Sequence, residues 1–105
     1  MTQQTIAGVE VDLDEKGFFA DPKQWTREMA PIIAAQDGID ELTPRHWEVL
    51  DLMRNEYEAH GTGPAVRALS KLSGVPIKEL YQLFPNGPAK QAARIAGIPK
   101  PRGCI

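Results

Sequence analysis

The chain predicts a mainly α fold: a small bundle of about five helices containing a helix-turn-helix-like pair, with an N-terminal β-hairpin and a flexible C-terminal arm. Three observations carry that reading. Apolar residues recur at helical spacing in successive stretches. Asp21-Pro22, Thr43-Pro44 and Pro88 mark helix starts, and Gly38, Gly61 and Gly97 mark ends. Strand-like alternation is confined to the first residues. A length of 105 residues sets one domain with a modest core, 42% hydrophobic and 25% charged as in ordinary globular chains.

Taken in order, Thr5-Ile6 and Val9-Glu10-Val11 flank Ala7-Gly8, a hairpin signal with glycine in the loop. Such a hairpin is marginal alone and must dock on something. A turn-rich stretch, Asp12 to Gly17, precedes Phe18 and Phe19. Asp21 then caps a first helix that runs to about Gln36, with Trp25, Met29, Ile32 and Ile33 on one face. Pro31 lies inside it and should kink it or reset its start. The second helix follows Thr43-Pro44 and continues through Trp47, Leu50, Met53 or Arg54, and Tyr57 to Gly61. Its aromatics read as core, and His46 as a packing or capping residue, not a catalytic base. Pro64 to Ser73 makes the third helix, with Ala65, Ala68, Leu69 and Leu72 inward; Ile77, Leu80, Tyr81 and Phe84 place the fourth. Between them, Gly74-Val75 supplies the turn of a helix-turn-helix shape. The fifth helix begins at Pro88 and ends at Gly97, and Ala89, Ala92, Ala93 and Ala96 make it slim enough to pack closely.

Composition excludes several classes. No apolar run approaches a membrane span, and Met1 to Glu10 lacks the basic start and apolar core of a secretory leader, so a cytoplasmic location is expected. One cysteine excludes an internal disulfide framework and suits a reducing compartment. No Cys-x-x-Cys pair or Cys/His cluster points to a metal, and no cofactor is implied. The net charge of −2 conceals a division. Residues 1–59 carry 5 Lys/Arg and 13 Asp/Glu, whereas residues 60–105 carry 7 Lys/Arg and a single acid, Glu79. A basic half beside an acidic half reads as an interface for an acidic protein or a nucleic acid. Independent solvation of each helix is the plainer alternative.

The only cysteine is the penultimate residue, in Ile98-Pro99-Lys100-Pro101-Arg102-Gly103-Cys104-Ile105. Two prolines favour extended backbone, and glycines lie on either side, so residues 98–105 read as a mobile arm beyond a helical domain of residues 1–97. Eight extended residues reach roughly 25 Å at about 3.3 Å each. Lys100 and Arg102 favour the thiolate, the reactive form, while the terminal carboxylate opposes it. No histidine is near in sequence to serve as a base. A thiol without a local base suits exchange chemistry in which a partner supplies activation, and a persulfide is one reversible state for it. A frayed tail with an incidental cysteine is the alternative.

Leu83-Phe84-Pro85-Asn86-Gly87-Pro88-Ala89-Lys90-Gln91-Ala92, Ile95 to Pro101 and Gly103-Cys104-Ile105 together resemble the C-terminal signature of the DsrC/TusE family. The likeness extends upstream to Gly38-Ile39, Leu42-Thr43-Pro44 with His46-Trp47-Glu48-Val49, and Pro64-Ala65-Val66-Arg67, covering the chain from about Gly17 onward. The resemblance implies the same helical fold and a cytoplasmic sulfur carrier whose penultimate cysteine, here Cys104, bears the sulfur. It also implies a donor of the TusBCD/DsrEFH type and an acceptor that thiolates tRNA or works in sulfur oxidation. The protein is then a stoichiometric carrier without independent turnover. One position departs: DsrC proper, the partner of dissimilatory sulfite reductase, has a second cysteine where this chain has Ala93. Without it Cys104 has no internal partner, which leaves one-thiol carriage, as in TusE; the resemblance favours tRNA wobble-uridine 2-thiolation, although single-cysteine relatives also occur in sulfur-oxidising organisms. A DsrC-like role in sulfur oxidation or sulfite reduction is the alternative.

A carrier needs a docking face, and Lys90, Arg94, Lys100 and Arg102 are the nominees, with Arg67 and Lys71 as weaker members. Lys90 and Arg94, four apart, share a helix face. Direct tRNA contact is compatible with this but not required, since an acceptor can hold the RNA. The rival from another class is a helix-turn-helix DNA regulator. Its recognition helix, Pro76 to Phe84, would offer only Lys78, Glu79, Tyr81 and Gln82 as polar readers. Glu79 offsets Lys78, so the charge for phosphates is thin and the DNA reading ranks below the carrier.

Overall fold

The computed structural model describes residues 2–102. Thr2–Ile6 (β1) and Val9–Leu13 (β2) pair antiparallel, with Ile6 opposite Val9, Gln4 opposite Val11 and Thr2 opposite Leu13. Both loop residues have positive φ, +51° at Ala7 and +79° at Gly8, as a type I′ turn requires. The hairpin docks through one face: Ile6, Val11 and Leu13 are buried, and Leu13 bridges to Phe19. Gln24 locks the far side, accepting the Asp12 N–H at 2.8 Å and donating to its carboxylate at 3.0 Å.

The helical part begins with a single 3-10 turn, Pro22–Gln24, capped by the Asp21 carboxylate on the Lys23 N–H at 3.0 Å. It then stops, and Trp25 is extended. The first α-helix is Met29–Gln36 (α1), followed by Pro44–His60 (α2), Val66–Ser73 (α3), Ile77–Leu83 (α4) and Pro88–Ile95 (α5). Proline resets the start of α1: Pro31 occupies its third position, where a helix has no use for the N–H that proline lacks. Thr43 and His46 cap α2 reciprocally. The Thr43 N–H donates to His46 Nδ1 at 3.0 Å, which leaves Nε2 to donate to the Leu83 carbonyl at 2.9 Å and so tie α2 to the end of α4. His46 is buried edge-on against Phe84, a structural residue as its position predicts.

α5 is the central helix and touches each of the other four. Its alanines explain this. Ala89, Ala92, Ala93 and Ala96 are buried, and their small side chains let neighbouring backbones approach. Met29, Val49, Leu50, Met53, Leu69, Leu80, Phe84 and Ile95 fill the space around them without exposure. No helix of the described residues is long and apolar enough to cross a membrane.

Several inward assignments fail. The span 22–36 is a turn and a helix separated by extended Trp25, not one helix. Ile32 is exposed, because Met29, Ala30, Ile33 and Ala34 already occupy the inner face of the reset α1. α3 starts at Val66 with Ala65 as its N-cap residue, and Ala68 and Leu72 point outward while Leu69 alone is buried. In α4, Leu80 takes the core position, and Ile77 and Tyr81 are exposed.

Candidate functional site

The arm leaves from the C-terminus of α5, where the last carbonyls of a helix lack intrahelical donors. Each finds one. Ile98 N–H donates to Ala93 at 3.1 Å and Gly97 N–H to Arg94 at 3.2 Å, a Schellman pattern with Gly97 at φ +72°. Side chains from elsewhere supply the rest. Trp25 Nε1 donates to the Ile95 carbonyl at 2.9 Å, and Arg54 Nη1 to the Ala96 carbonyl at 2.7 Å. Arg54 also reaches the Pro22 carbonyl at 3.2 Å through Nη2 and lies 4.3 Å from the Trp25 ring centroid. Burial pushes the Arg54 guanidinium down from its ordinary value, and Glu58 one turn along α2 opposes that shift. A cleft of about 430 Å³ opens beside it, bounded by Pro22, Lys23, Tyr57 and Glu58.

Glycine permits the closest approaches. A Cβ on Gly97 would lie 2.2 Å from Trp25 Cδ1, so the indole rests directly on the glycine backbone. A Cβ on Gly63 would lie 2.7 Å from the end of Ile98, with Met53 and Pro101 close behind. The first residues of the arm are consequently docked. The reading from sequence starts the mobile segment at Ile98, but Ile98 is fully buried and Pro101 is buried. Arg102 N–H donates to Thr62 Oγ1 at 2.9 Å. Apolar Ile98 and Pro101 have a seat beside Gly63, and extended backbone there does not prevent their burial.

Of the nominated site residues, Cys104 lies outside the described residues. Lys90 and Lys100 are half-buried and Arg102 is exposed. Lys90 and Arg94 line one shallow pocket with Lys16, Phe18 and Asn86, as their shared helix face predicts. Arg94 is committed, however: it pairs with Asp37 at the end of α1, and its side chain is only 27% exposed. Its Nε is buried without a partner among the described residues. Arg67 and Lys71 are exposed on α3. Trp25, Arg54 and Thr62 were not singled out as site residues in sequence. The available signal was Arg54 itself, an arginine on the apolar stripe of α2 that needs acceptors. Among the described residues no group of three His, Cys, Asp or Glu side chains forms a potential metal site.

Fold and site together define a small helical domain built around a slim central helix, whose C-terminus is locked by two distant side chains and continues into a docked segment. The chain belongs to the family described as DsrC like protein, which matches residues 5–105. It is 38% identical to the dissimilatory-type sulfite reductase gamma subunit of Nitratidesulfovibrio vulgaris (strain Hildenborough), over the whole of both chains. It is 43% identical to sulfurtransferase TusE of Escherichia coli (strain K12), covering 93% of this chain and 95% of that one. Among solved structures, Allochromatium vinosum DsrC superposes with a TM-score of 0.86 at 40% identity, covering 98% of this chain and 97% of the other.

Proposed function

We propose that this chain is a one-thiol sulfur carrier. The Cys104 thiolate attacks the terminal sulfur of a donor persulfide. A new S–S bond forms as the donor's S–S bond breaks, and the donor thiolate leaves with the electron pair. The transferred sulfur keeps its proton, Cys104 carries S–SH, and no net redox change occurs. The acceptor reverses the exchange, so the protein acts as a stoichiometric carrier in a reducing cytosol and requires no cofactor.

One observation carries the reading in its single-thiol form: the only cysteine is penultimate, and Ala93, where a second would stand in DsrC proper, is buried on the central helix. The names of both relatives support sulfur chemistry, and TusE, named a sulfurtransferase, shares the larger identity. The favoured acceptor is the machinery of tRNA wobble-uridine 2-thiolation, with a donor of the TusBCD/DsrEFH type. Lys90, Arg94, Lys100 and Arg102 are the docking cations, and Lys100 and Arg102 also bias the nearby thiol toward thiolate. Within that set the Arg94 charge is offset by its pair with Asp37, so it is the least available of the four. The second reading, a carrier in sulfur oxidation or sulfite reduction, draws on the gamma-subunit relative.

A single-turnover transfer assay separates the two. Protein loaded with isotopically labelled sulfur is mixed with a purified tRNA thiolase and its tRNA, or with a purified dissimilatory sulfite reductase. Labelled 2-thiouridine that depends on Cys104 is the expected result. Label passing only to the reductase would overturn the tRNA assignment and favour the second reading.

A further inference from the structure

The α3–α4 pair carries a surface that neither the arm chemistry nor the Lys90 pocket uses. Arg67 and Lys71 are four apart and exposed on α3, and Lys78 is exposed on α4. None of the three pairs with a carboxylate among the described residues, whereas Arg27, Arg45 and Arg94 all do. The one acid of residues 60–105, Glu79, is held at 2.8 Å by Arg45 of α2. The cations of this face are therefore uncompensated. Apolar side chains accompany them: Ile77 and Tyr81 are 41% and 51% exposed, and Leu72, 52% exposed, borders the α2 side in a groove with Glu48 and Asp51, whose charges Arg45 and Arg27 offset. Leu72, Ile77 and Tyr81 are three of the five large apolar residues exposed in the described chain, gathered in ten residues. Ile77 and Tyr81, four apart, share one side of α4.

We infer that this face is a docking surface for an acidic, partly apolar surface of a protein that exchanges sulfur with the arm; the inference rests on the carrier reading and names where one partner sits. Position supports it. Arg102 is bonded to Thr62, and only three residues lie between Thr62 and the start of α3 at Val66, so Arg102 sits beside the N-terminus of α3. A partner reaching for the arm meets Arg67 first and the rest of the face beyond it. A nucleic acid fits less well. Leu72 and Ile77 give phosphates nothing to bind, Tyr81 offers a single hydroxyl, and Lys78 is the only cation on α4. Exposed apolar residues flanked by cations instead match a protein interface with an apolar centre and a charged rim.

The test uses the full chain with Cys104→Ser, so that no covalent trap forms, together with a purified donor of the TusBCD/DsrEFH type and the tRNA thiolase of the transfer assay. Two variant sets are compared: Arg67→Glu with Lys71→Glu and Lys78→Glu, and Leu72→Ser with Tyr81→Ser. All five residues are exposed, and thermal melts confirm that the variants fold. Each set should weaken binding to at least one of the two partners about tenfold or more, with the charge effect shrinking at high salt. With Cys104 restored, loading by a small-molecule persulfide should be unchanged. Wild-type affinity of both variant sets for both partners would overturn the inference, as would a chain that loads normally yet binds neither protein. So would charge-dependent binding to tRNA or duplex DNA in place of protein, or a charge-dependent dimer. Failure to load at all is a separate result and speaks against the carrier reading.

Discussion

At the residue scale, Gly97 and Arg54 do the most to set where the arm begins. Gly97→Ala should cost about 1–2 kcal/mol for the left-handed backbone and about 1–3 kcal/mol more for forcing a methyl into the indole. A thermal melt reads the sum, and repeating it in a Trp25→Ala background should remove the second part only. Additive costs would show that the ring does not rest on Gly97. Arg54→Met should lower stability by about 1–3 kcal/mol, because the Ala96 carbonyl loses its donor inside the protein and the Pro22 carbonyl keeps only the Trp25 N–H. Unchanged denaturant midpoints would contradict that accounting. Gly97 was legible in sequence as the end of a helix. Its second task was not, since Trp25 meets this helix end from seventy residues upstream. The same distance problem hides Arg54, which the spacing offers only as an alternative to Met53, because its acceptor, the Ala96 carbonyl, lies 42 residues downstream.

At the scale of elements, the hairpin was the most local feature and read most cleanly. It also contains a small conflict, because Ala7 is the only non-glycine residue with positive φ among those described. Asparagine tolerates that conformation and suits a type I′ turn, so Ala7→Asn should stabilise the protein by about 0.5–1 kcal/mol. A lower melting temperature would mean that Ala7 makes a contact worth more than the strain. The α-helix starts are legible at Thr43-Pro44 and Pro88, whereas Asp21-Pro22 announces only a 3-10 turn. Pro31 signalled a break but not which side of it would be helical. Helices α3 and α4, about two turns each, were the least legible in burial. An apolar stripe on so short a helix touches a neighbour over part of its length only. Leu69 and Leu80 were covered while Leu72, Ile77 and Tyr81 were left outside.

For the whole molecule, the division of charge was readable by counting, but the availability of each charge was not. Lys90 and Arg94 look equivalent along α5, and the structure separates them. Arg94→Glu places a carboxylate against Asp37 and should destabilise by more than the roughly 0–1 kcal/mol of an exposed pair. Lys90→Glu should leave the melt unchanged and slow association with an acidic donor, most at low salt. Equal melts for the two variants, or an unchanged on-rate for Lys90→Glu, would contradict that separation. All of this presupposes that Cys104 carries sulfur covalently, and intact mass spectrometry after incubation with a persulfide donor tests that most directly. The account predicts a gain of one sulfur atom on the wild-type chain, removed by reductant and absent in Cys104→Ser. A wild-type chain that stays unmodified with a competent donor, or a Cys104→Ser chain that still gains sulfur, would contradict it.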